Sequence, residues 1–264
     1  MIKLDDFFQR LWQQYVVITP QALAIQKLLE SQGEVLVNDH VAFRTLAHSH
    51  FSISNLEPQI TSLGYEILAD YSFEEKRLLA RCYIHKNSPT KIFVSELLWK
   101  ELPPASQKII EAIIEAGQVE KQPSIDSGRF WPLPSYKDYQ ALLQVSEYAA
   151  WFSIWGLRAN HFTIYVNHLK KHVSLEKVVE LLNINGYELN HAGGVIKGTP
   201  QDFLIQAATI ADKQAVVFKD AGKQVISTCY YEFAQRFKQS DGKLYQGFVP
   251  KSADKIFEST NNKD

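Results

Sequence analysis

The chain has 264 residues, which is enough for one large domain or two small ones with a sizeable buried core. Apolar residues make up 45% of the sequence and charged residues 22%, an ordinary globular composition. With 28 basic and 29 acidic side chains, the formal net charge is -1, which argues against a partner that is a nucleic acid or an anionic membrane surface. No apolar run reaches the length of a transmembrane helix, and the 2 cysteines are typical of a reducing compartment. We therefore expect a cytoplasmic enzyme or ligand-binding protein.

The first 35 residues predict two helices. Apolar residues recur at intervals of three and four between Phe7 and Val16, as on the buried face of an amphipathic helix. Thr19 and Pro20 then favour a second helix, with Thr19 as the capping residue and Pro20 in the first turn. Gly33 is a typical residue for the end of this helix.

Residues 36–100 predict a first module, in which one strand is followed by a helix and three more strands. The opening strand is indicated by alternation, since Val41, Phe43 and Thr45 share one face. The predicted elements are a strand at Val37–Leu46, a helix at Leu56–Leu63, and strands at Gly64–Leu68, Leu78–Ile84 and Lys91–Leu97.

Residues 101–155 predict a helical insertion, residues 156–240 a second module and residues 241–264 a C-terminal segment. The insertion ends in an aromatic helix predicted at Tyr136–Trp155. The second module is predicted to contain a strand at Ala159–Val166, a helix at Leu175–Leu182, and strands at Gly186–Leu189, Val216–Phe218 and Val225–Phe233. We expect residues 1–264 to form a single catalytic domain.

The two modules resemble each other, which indicates an internal repeat. Each has a histidine in its first strand, a glycine after its helix and a glutamate in its last strand. The two sets are His40, Gly64 and Glu96, and His161, Gly186 and Glu232. The glycine follows the histidine by 24 residues in one module and 25 in the other, whereas the glutamate follows the glycine by 32 and by 46. This repeat predicts an α+β fold, in which two βαβββ modules form a curved, partly open mixed sheet around a cavity.

A pseudo-twofold relation between the modules would bring His40, His161 and Glu232 together. Two imidazoles and a carboxylate on one face of a metal ion leave positions open for substrate and O2, an arrangement that suits Fe(II). Mn(II), Co(II), Zn(II) or Ni(II) can occupy similar ligands. The alternative is structural: each histidine is then a hydrogen-bonded core residue, and Glu232 is paired with Arg236.

Glu96 decides between two kinds of metal site, because the repeat makes it the counterpart of Glu232. Four ligands, two histidines and two glutamates, would resemble a lyase or isomerase site of the glyoxalase type. Three ligands would resemble an oxygenase site. We favour three, with Glu96 either structural or in contact with a ligand rather than with the metal.

Arg44 follows His40 by four residues, so in a strand the two side chains share one face. A guanidinium near a metal site is well suited to bind a substrate carboxylate through two hydrogen bonds. The alternative is an arginine paired with an acid at the surface.

Three segments carry a resemblance to a known family. Asn38–Thr45, Asn160–Thr163 and Tyr231–Phe233 resemble the 2-oxoadipate dioxygenase/decarboxylase family, also described as D-2-hydroxyglutarate synthases. The resemblance covers nearly the whole chain, and the His-x-x-x-Arg segment is its most specific part. It implies a variant of the vicinal oxygen chelate fold.

The resemblance also implies site residues and a reaction. His40, His161 and Glu232 would hold Fe(II), with Glu232 and Arg44 taking part in catalysis and Arg44 binding the substrate. Phe248–Ala253 resembles the segment in which Ser252 and the backbone of Lys251 contact the substrate. The reaction would convert 2-oxoadipate and O2 to 2-hydroxyglutarate and CO2, in lysine catabolism. Two departures concern the substrate: known members are longer, and Lys251 stands where a small apolar residue is expected.

Two other functions fit the same residues. One is an O2-independent lyase, isomerase or hydrolase of the glyoxalase type with Glu96 as fourth ligand or base. The other is a non-enzymatic module that binds a small ligand, as some related folds do. A homodimer is compatible with each of these readings.

Overall fold

A computed structural model describes residues 4–119, 122–250, 255–256 and 258–260. Two helices open the chain: α1 (Leu4–Ile18) and α2 (Pro20–Ser31), as the sequence predicts. They cover one face of the main sheet, where Trp12 packs edge-on against Phe162 at 5.0 Å and Tyr15 lies 5.0 Å from the same ring. Buried aromatic pairs of this kind fix the helices against the sheet.

The first module has the predicted order of one strand, one helix and three strands. Its elements are β1 (Asn38–Leu46), α3 (Ile53–Ser62), β2 (Tyr65–Phe73), β3 (Leu78–His85) and β4 (Ser88–Leu97). β1 agrees with the prediction to within one residue, whereas β2, β3 and β4 are longer than predicted.

The insertion contains α4 (Pro104–Gly117), α5 (Tyr136–Val145) and α6 (Glu147–Trp155). The prediction of one helix at Tyr136–Trp155 is wrong, because the chain is extended at Ser146 and starts again. The Ser146 side chain accepts a hydrogen bond from the backbone N–H of Ala149, which caps α6. This break places Glu147 and Tyr148 at the start of a helix that faces β1.

The second module repeats the first with one addition. Its elements are β5 (Ala159–Tyr165), α7 (Leu175–Ile184), β6 (Lys197–Thr199), β7 (Leu204–Ala208), β8 (Lys213–Phe218), β9 (Gly222–Ser227) and β10 (Tyr230–Arg236). The predicted strand at Gly186–Leu189 is wrong, since Leu189 forms only an isolated bridge to Thr209. The predicted strand at Val225–Phe233 is in fact two strands, and β6 and β7 were not predicted.

Eight strands form one mixed sheet in the order β2-β3-β4-β1-β5-β10-β7-β6. β1 is parallel to β4, β5 is parallel to β10, and β1 and β5 are antiparallel at the centre. This order reads symmetrically about the β1–β5 pair and confirms the predicted fold of two βαβββ modules. The remaining strands, β8 and β9, form a separate hairpin between β7 and β10, which accounts for the longer spacing in the second module. None of the described helices is long and apolar enough to cross a bilayer.

Candidate metal centre

The centre of the sheet brings His40, His161 and Glu232 together from β1, β5 and β10. His161 Nε2 lies 3.2 Å from Glu232 Oε2 and 3.4 Å from His40 Nε2, and His40 Nε2 lies 3.7 Å from Glu232 Oε1. One ligand atom from each residue lies within 4.8 Å of the other two, and all three side chains are buried. The candidate ligands named from the repeat therefore converge on one point.

Strand register explains the convergence. His40 pairs with Thr163 on β5, and Thr163 pairs on its other side with Glu232 on β10. His161 lies two residues before Thr163, on the same face of the sheet. The Thr163 hydroxyl lies 3.0 Å from His40 Nε2, at the middle of the group.

Both histidines are oriented from behind by a preceding residue. His40 Nδ1 lies 2.8 Å from Asp39 Oδ1, and His161 Nδ1 lies 3.1 Å from Asn160 Oδ1. Because a carboxylate and an amide oxygen only accept hydrogen bonds, each Nδ1 carries the proton and each Nε2 presents its lone pair to the centre. Neither Asp39 nor Asn160 was assigned a role from the sequence. Both directly precede a candidate histidine, a signal that could have identified them.

The electrostatics of this group fit a bound cation. Burial lowers the pKa of His40 and, more strongly, that of His161, so both imidazoles are neutral. Burial raises the pKa of Glu232 to about 8, and the hydrogen bond from Gln206 only partly offsets this. Glu232 Oε2 has no hydrogen-bond partner among the described residues. Two lone pairs and an unsatisfied carboxylate oxygen face one another, and a divalent metal ion would satisfy all three.

Gln206 on β7 supports Glu232, and the sequence revealed neither Gln206 nor its neighbour Lys197 on β6. Gln206 Nε2 donates to Glu232 Oε1 at 2.5 Å, and Lys197 is the register partner of Gln206. The apolar run Leu204–Ala208 is the sequence signal that could have revealed β7.

Arg236 does not pair with Glu232, so the structural alternative for Glu232 is wrong. The guanidinium of Arg236 binds both carboxylate oxygens of Asp39, at 2.5 and 2.8 Å. Burial alone would raise the pKa of Asp39, but Arg236 and then Lys91 hold it well below its usual range. The ionised Asp39 thus lies between Arg236 and His40, which fixes the orientation of the histidine ring.

Glu96 is not the counterpart of Glu232. In the first half, Ala42 lies two residues after His40 and pairs with Phe93 on β4. In the second half, Thr163 lies two residues after His161 and pairs with Glu232 on β10. When the two halves are matched so that His40 corresponds to His161, Phe93 corresponds to Glu232. The carboxylate of Glu96, three residues further on, accepts from the backbone N–H of Ile53 at 2.8 Å, at the start of α3.

Phe93 also forms part of the wall around the candidate ligands. The described residues enclose a cavity of about 20 Å³, lined by His40, Phe93, His161, Gln206, Glu232, Phe248 and Ile256. Phe248 packs against His40 and Phe93, each at 4.8 Å between ring centroids. One side of the site is therefore apolar, and the three ligands occupy the other.

Arg44 lies on the same side of the sheet, outside that lining. It is 1% exposed, and its Nη1 donates to Glu147 Oε1 at 2.6 Å while Nη2 donates to Thr260 at 3.1 Å. The rings of Tyr148 and Trp151 flank the guanidinium at 4.9 and 5.2 Å. The sequence placed Arg44 beside the metal site but did not reveal this partner in α6. Lys251 and Ser252 lie outside the described residues.

Comparison with known proteins identifies the family. The sequence profile of the family described as "2-oxoadipate dioxygenase/decarboxylase" matches residues 12–242. The chain belongs to the 2-oxoadipate dioxygenase/decarboxylase family. This membership confirms the resemblance read from the sequence.

Individual members of the family are similar over nearly the whole chain. A rice (Oryza sativa subsp. japonica) relative named 2-oxoadipate dioxygenase/decarboxylase is 34% identical, over 98% of this chain and 80% of its own length. The crystal structure of hydroxyglutarate synthase from Oryza sativa, in complex with 2-oxoadipate, is 33% identical with a TM-score of 0.91, covering 97% of this chain and 91% of that one.

Two further solved structures are similar to this chain. One from Shewanella frigidimarina, provisionally named a hydrolase, is 40% identical with a TM-score of 0.88, covering 95% of this chain and 99% of that one. A protein from Ralstonia eutropha, provisionally placed in the glyoxalase superfamily, is 17% identical with a TM-score of 0.71, covering 90% of this chain and 83% of that one. This last likeness concerns the fold alone, and it agrees with the predicted vicinal oxygen chelate-like fold.

Proposed function

We propose that this chain is an Fe(II)-dependent dioxygenase and decarboxylase that converts 2-oxoadipate and O2 to 2-hydroxyglutarate and CO2. The observation that carries the proposal is the buried set of His40, His161 and Glu232, with Phe93 where a fourth ligand would stand. Three ligands leave positions on a metal for a chelating 2-oxo acid and for O2. The names of the rice relative and of the rice structure support the substrate.

The protein residues supply binding, orientation and exclusion of water. Fe(II) held by the three ligands would supply the electrons and the coordination positions for O2 activation. Phe93, Phe248 and Ile256 give the site an apolar wall, which keeps bulk water from the reacting atoms.

Arg44 is suited to hold the second carboxylate of the substrate. A diacid fixed at one end by the metal site and at the other by a guanidinium has a defined orientation along its chain. Arg44 is buried and fixed by Glu147, so its position is set before the substrate binds. Ser252 and the backbone of Lys251 are proposed to contact the substrate on the basis of the family resemblance alone.

The test is anaerobic reconstitution with Fe(II), followed by measurement of O2 uptake and CO2 release when 2-oxoadipate is added. We expect one O2 consumed and one CO2 released for each 2-hydroxyglutarate formed. The matched control is the same protein loaded with Zn(II), which binds similar ligands and undergoes no redox change. Turnover of a substrate without O2 would favour a lyase or hydrolase instead. Tight binding of a ligand with no turnover would favour a binding module.

A further inference from the structure

Two buried polar atoms near His161 have no hydrogen-bond partner among the described residues: Arg44 Nε and the hydroxyl of Tyr230. Tyr230 is 0% exposed and Arg44 is 1% exposed. A buried hydroxyl without a partner is destabilising, so such groups usually have a ligand or a functional role. Both side chains lie on the face of the sheet that carries His161.

Tyr230 stands directly beside the candidate metal centre. It pairs with His161 across the β10–β5 ladder, and its ring stacks on the imidazole at 4.6 Å with an angle of 24° between the planes. His161 in turn pairs with Ala42 on β1, two residues before Arg44 on the same face. Tyr230 and Arg44 therefore lie on the same face of the sheet, one on each side of the β5 strand that carries His161.

The guanidinium of Arg44 is only partly used by the protein. Nη1 donates a hydrogen bond to Glu147 and Nη2 donates one to Thr260. The Nε–H group has no acceptor among the described residues. Burial lowers the pKa of Arg44, but Glu147 and then Tyr230 raise it. Because Glu147 already neutralises Arg44, an incoming carboxylate gains from a second, uncharged donor. A phenol keeps its proton at neutral pH and supplies one.

We infer that Tyr230 is a substrate-binding residue whose hydroxyl, together with Arg44 Nε–H, binds the distal carboxylate of the 2-oxo diacid. This inference rests on the proposed function, since it assigns one end of the proposed substrate. It makes Tyr230 a determinant of specificity for diacids over 2-oxo acids that end in a methyl group. His161, held between the tyrosine ring and the metal position, links the two ends of the substrate site.

The test compares two substrates in the Fe(II)-loaded protein and in the Tyr230→Phe variant. Anaerobic titration measures the affinity for 2-oxoadipate and for 2-oxohexanoate, which has the same six carbons and lacks the distal carboxylate. We expect Tyr230→Phe to weaken 2-oxoadipate binding about tenfold or more, the usual effect of losing a hydrogen bond to a charged group, and to leave 2-oxohexanoate binding unchanged. The matched control is Tyr231→Phe, the same change on the opposite face of β10, where Tyr231 packs against Trp12.

Stability separates a binding role from a structural one. Removal of an unsatisfied buried hydroxyl does not destabilise a protein, so the Tm of metal-free Tyr230→Phe should equal or exceed that of the wild type. A lowered Tm, an equal loss of affinity for both acids, or unchanged 2-oxoadipate affinity would each overturn the inference. If the wild type itself binds no 2-oxoadipate, the proposed function fails and this inference fails with it. A variant with wild-type affinity in a protein that still consumes O2 overturns the role of Tyr230 alone.

Discussion

The two halves of the central sheet share one backbone frame and carry different side chains at matching positions. His40 and His161 are equivalent, one in each half, whereas Phe93 in the first half corresponds to Glu232 in the second. The first half thus contributes one ligand and an apolar wall, and the second contributes two ligands. The difference shows that the side chain at one position on the last strand of a module determines whether the site has three ligands or four.

The support behind the histidines differs in the same way. Asp39 in the first half is ionised and paired with Arg236, whereas Asn160 in the second half is neutral. Burying one charged pair is expensive, and a second pair behind His161 would add that cost again. The asymmetry indicates that the repeat determines where the ligands stand, while single substitutions determine the charge around them.

Removing the carboxylate of the second half should have the largest effect. We expect Glu232→Gln to lose bound metal and to lower O2 uptake by more than about 100-fold, since a lost ligand costs more than the 10–100-fold typical of an outer partner. Metal content by elemental analysis and O2 uptake measure both effects. The control is Glu96→Gln, which removes the charge of the carboxylate that accepts from Ile53 N–H and should retain both metal and activity. Loss of metal in that control would return Glu96 to the ligand set.

Asp39→Asn tests the charged support of the first half. The change leaves Arg236 buried without an anionic partner, and we expect a loss of about 3–5 kcal/mol in the free energy of unfolding. Metal affinity should fall about 10–100-fold, because His40 loses its orienting carboxylate. Urea denaturation of the metal-free protein and metal titration give the two values. Combining Asp39→Asn with Asn160→Asp should not restore stability, since the carboxylate that Arg236 binds is that of Asp39. A rescued double variant would contradict the asymmetry.

Phe93→Glu places a carboxylate at the position equivalent to Glu232. We expect this variant to retain metal and to lose about tenfold in O2 uptake, because the new side chain fills a position needed by substrate or O2. Its Tm should rise more on metal addition than that of the wild type, since metal would neutralise the added buried charge. Phe93→Leu is the control without a ligand atom. Undiminished O2 uptake in Phe93→Glu would show that the two positions are not equivalent.

The smallest expected effect concerns Glu34, which ties the N-terminal helices to the second half. Burial alone would raise the pKa of its carboxyl, but the backbone N–H groups of Lys170, His172 and Lys171 lower it to about 2. The stabilisation is therefore complete above the ordinary pKa of about 4.5 and is lost as pH falls towards 2. We expect Glu34→Gln to remove up to about 3 kcal/mol of stability at pH 7 and to flatten the stability profile in that acidic window. Equal pH profiles for wild type and variant, measured by urea denaturation, would contradict this role.

The sequence by itself determined the repeat and the positions of His40, His161 and Glu232. Apolar periodicity and matched spacing are local properties of the chain, so they can be recognised before the tertiary structure is known. For the same reason the βαβββ order of the first module could be read directly. The sequence also placed Arg44 on the face of His40, which follows from the period of two in a strand.

Only the tertiary structure decided which side chains face one another across strands. The register of β1 with β4 and that of β5 with β10 made Phe93, rather than Glu96, the counterpart of Glu232. The tertiary structure also pairs Arg236 with Asp39. β7 and Gln206 escaped detection because a short strand buried on both faces has no alternation to reveal it. Pairing between distant segments depends on strand shifts of one or two residues, and no single segment of sequence records such a shift.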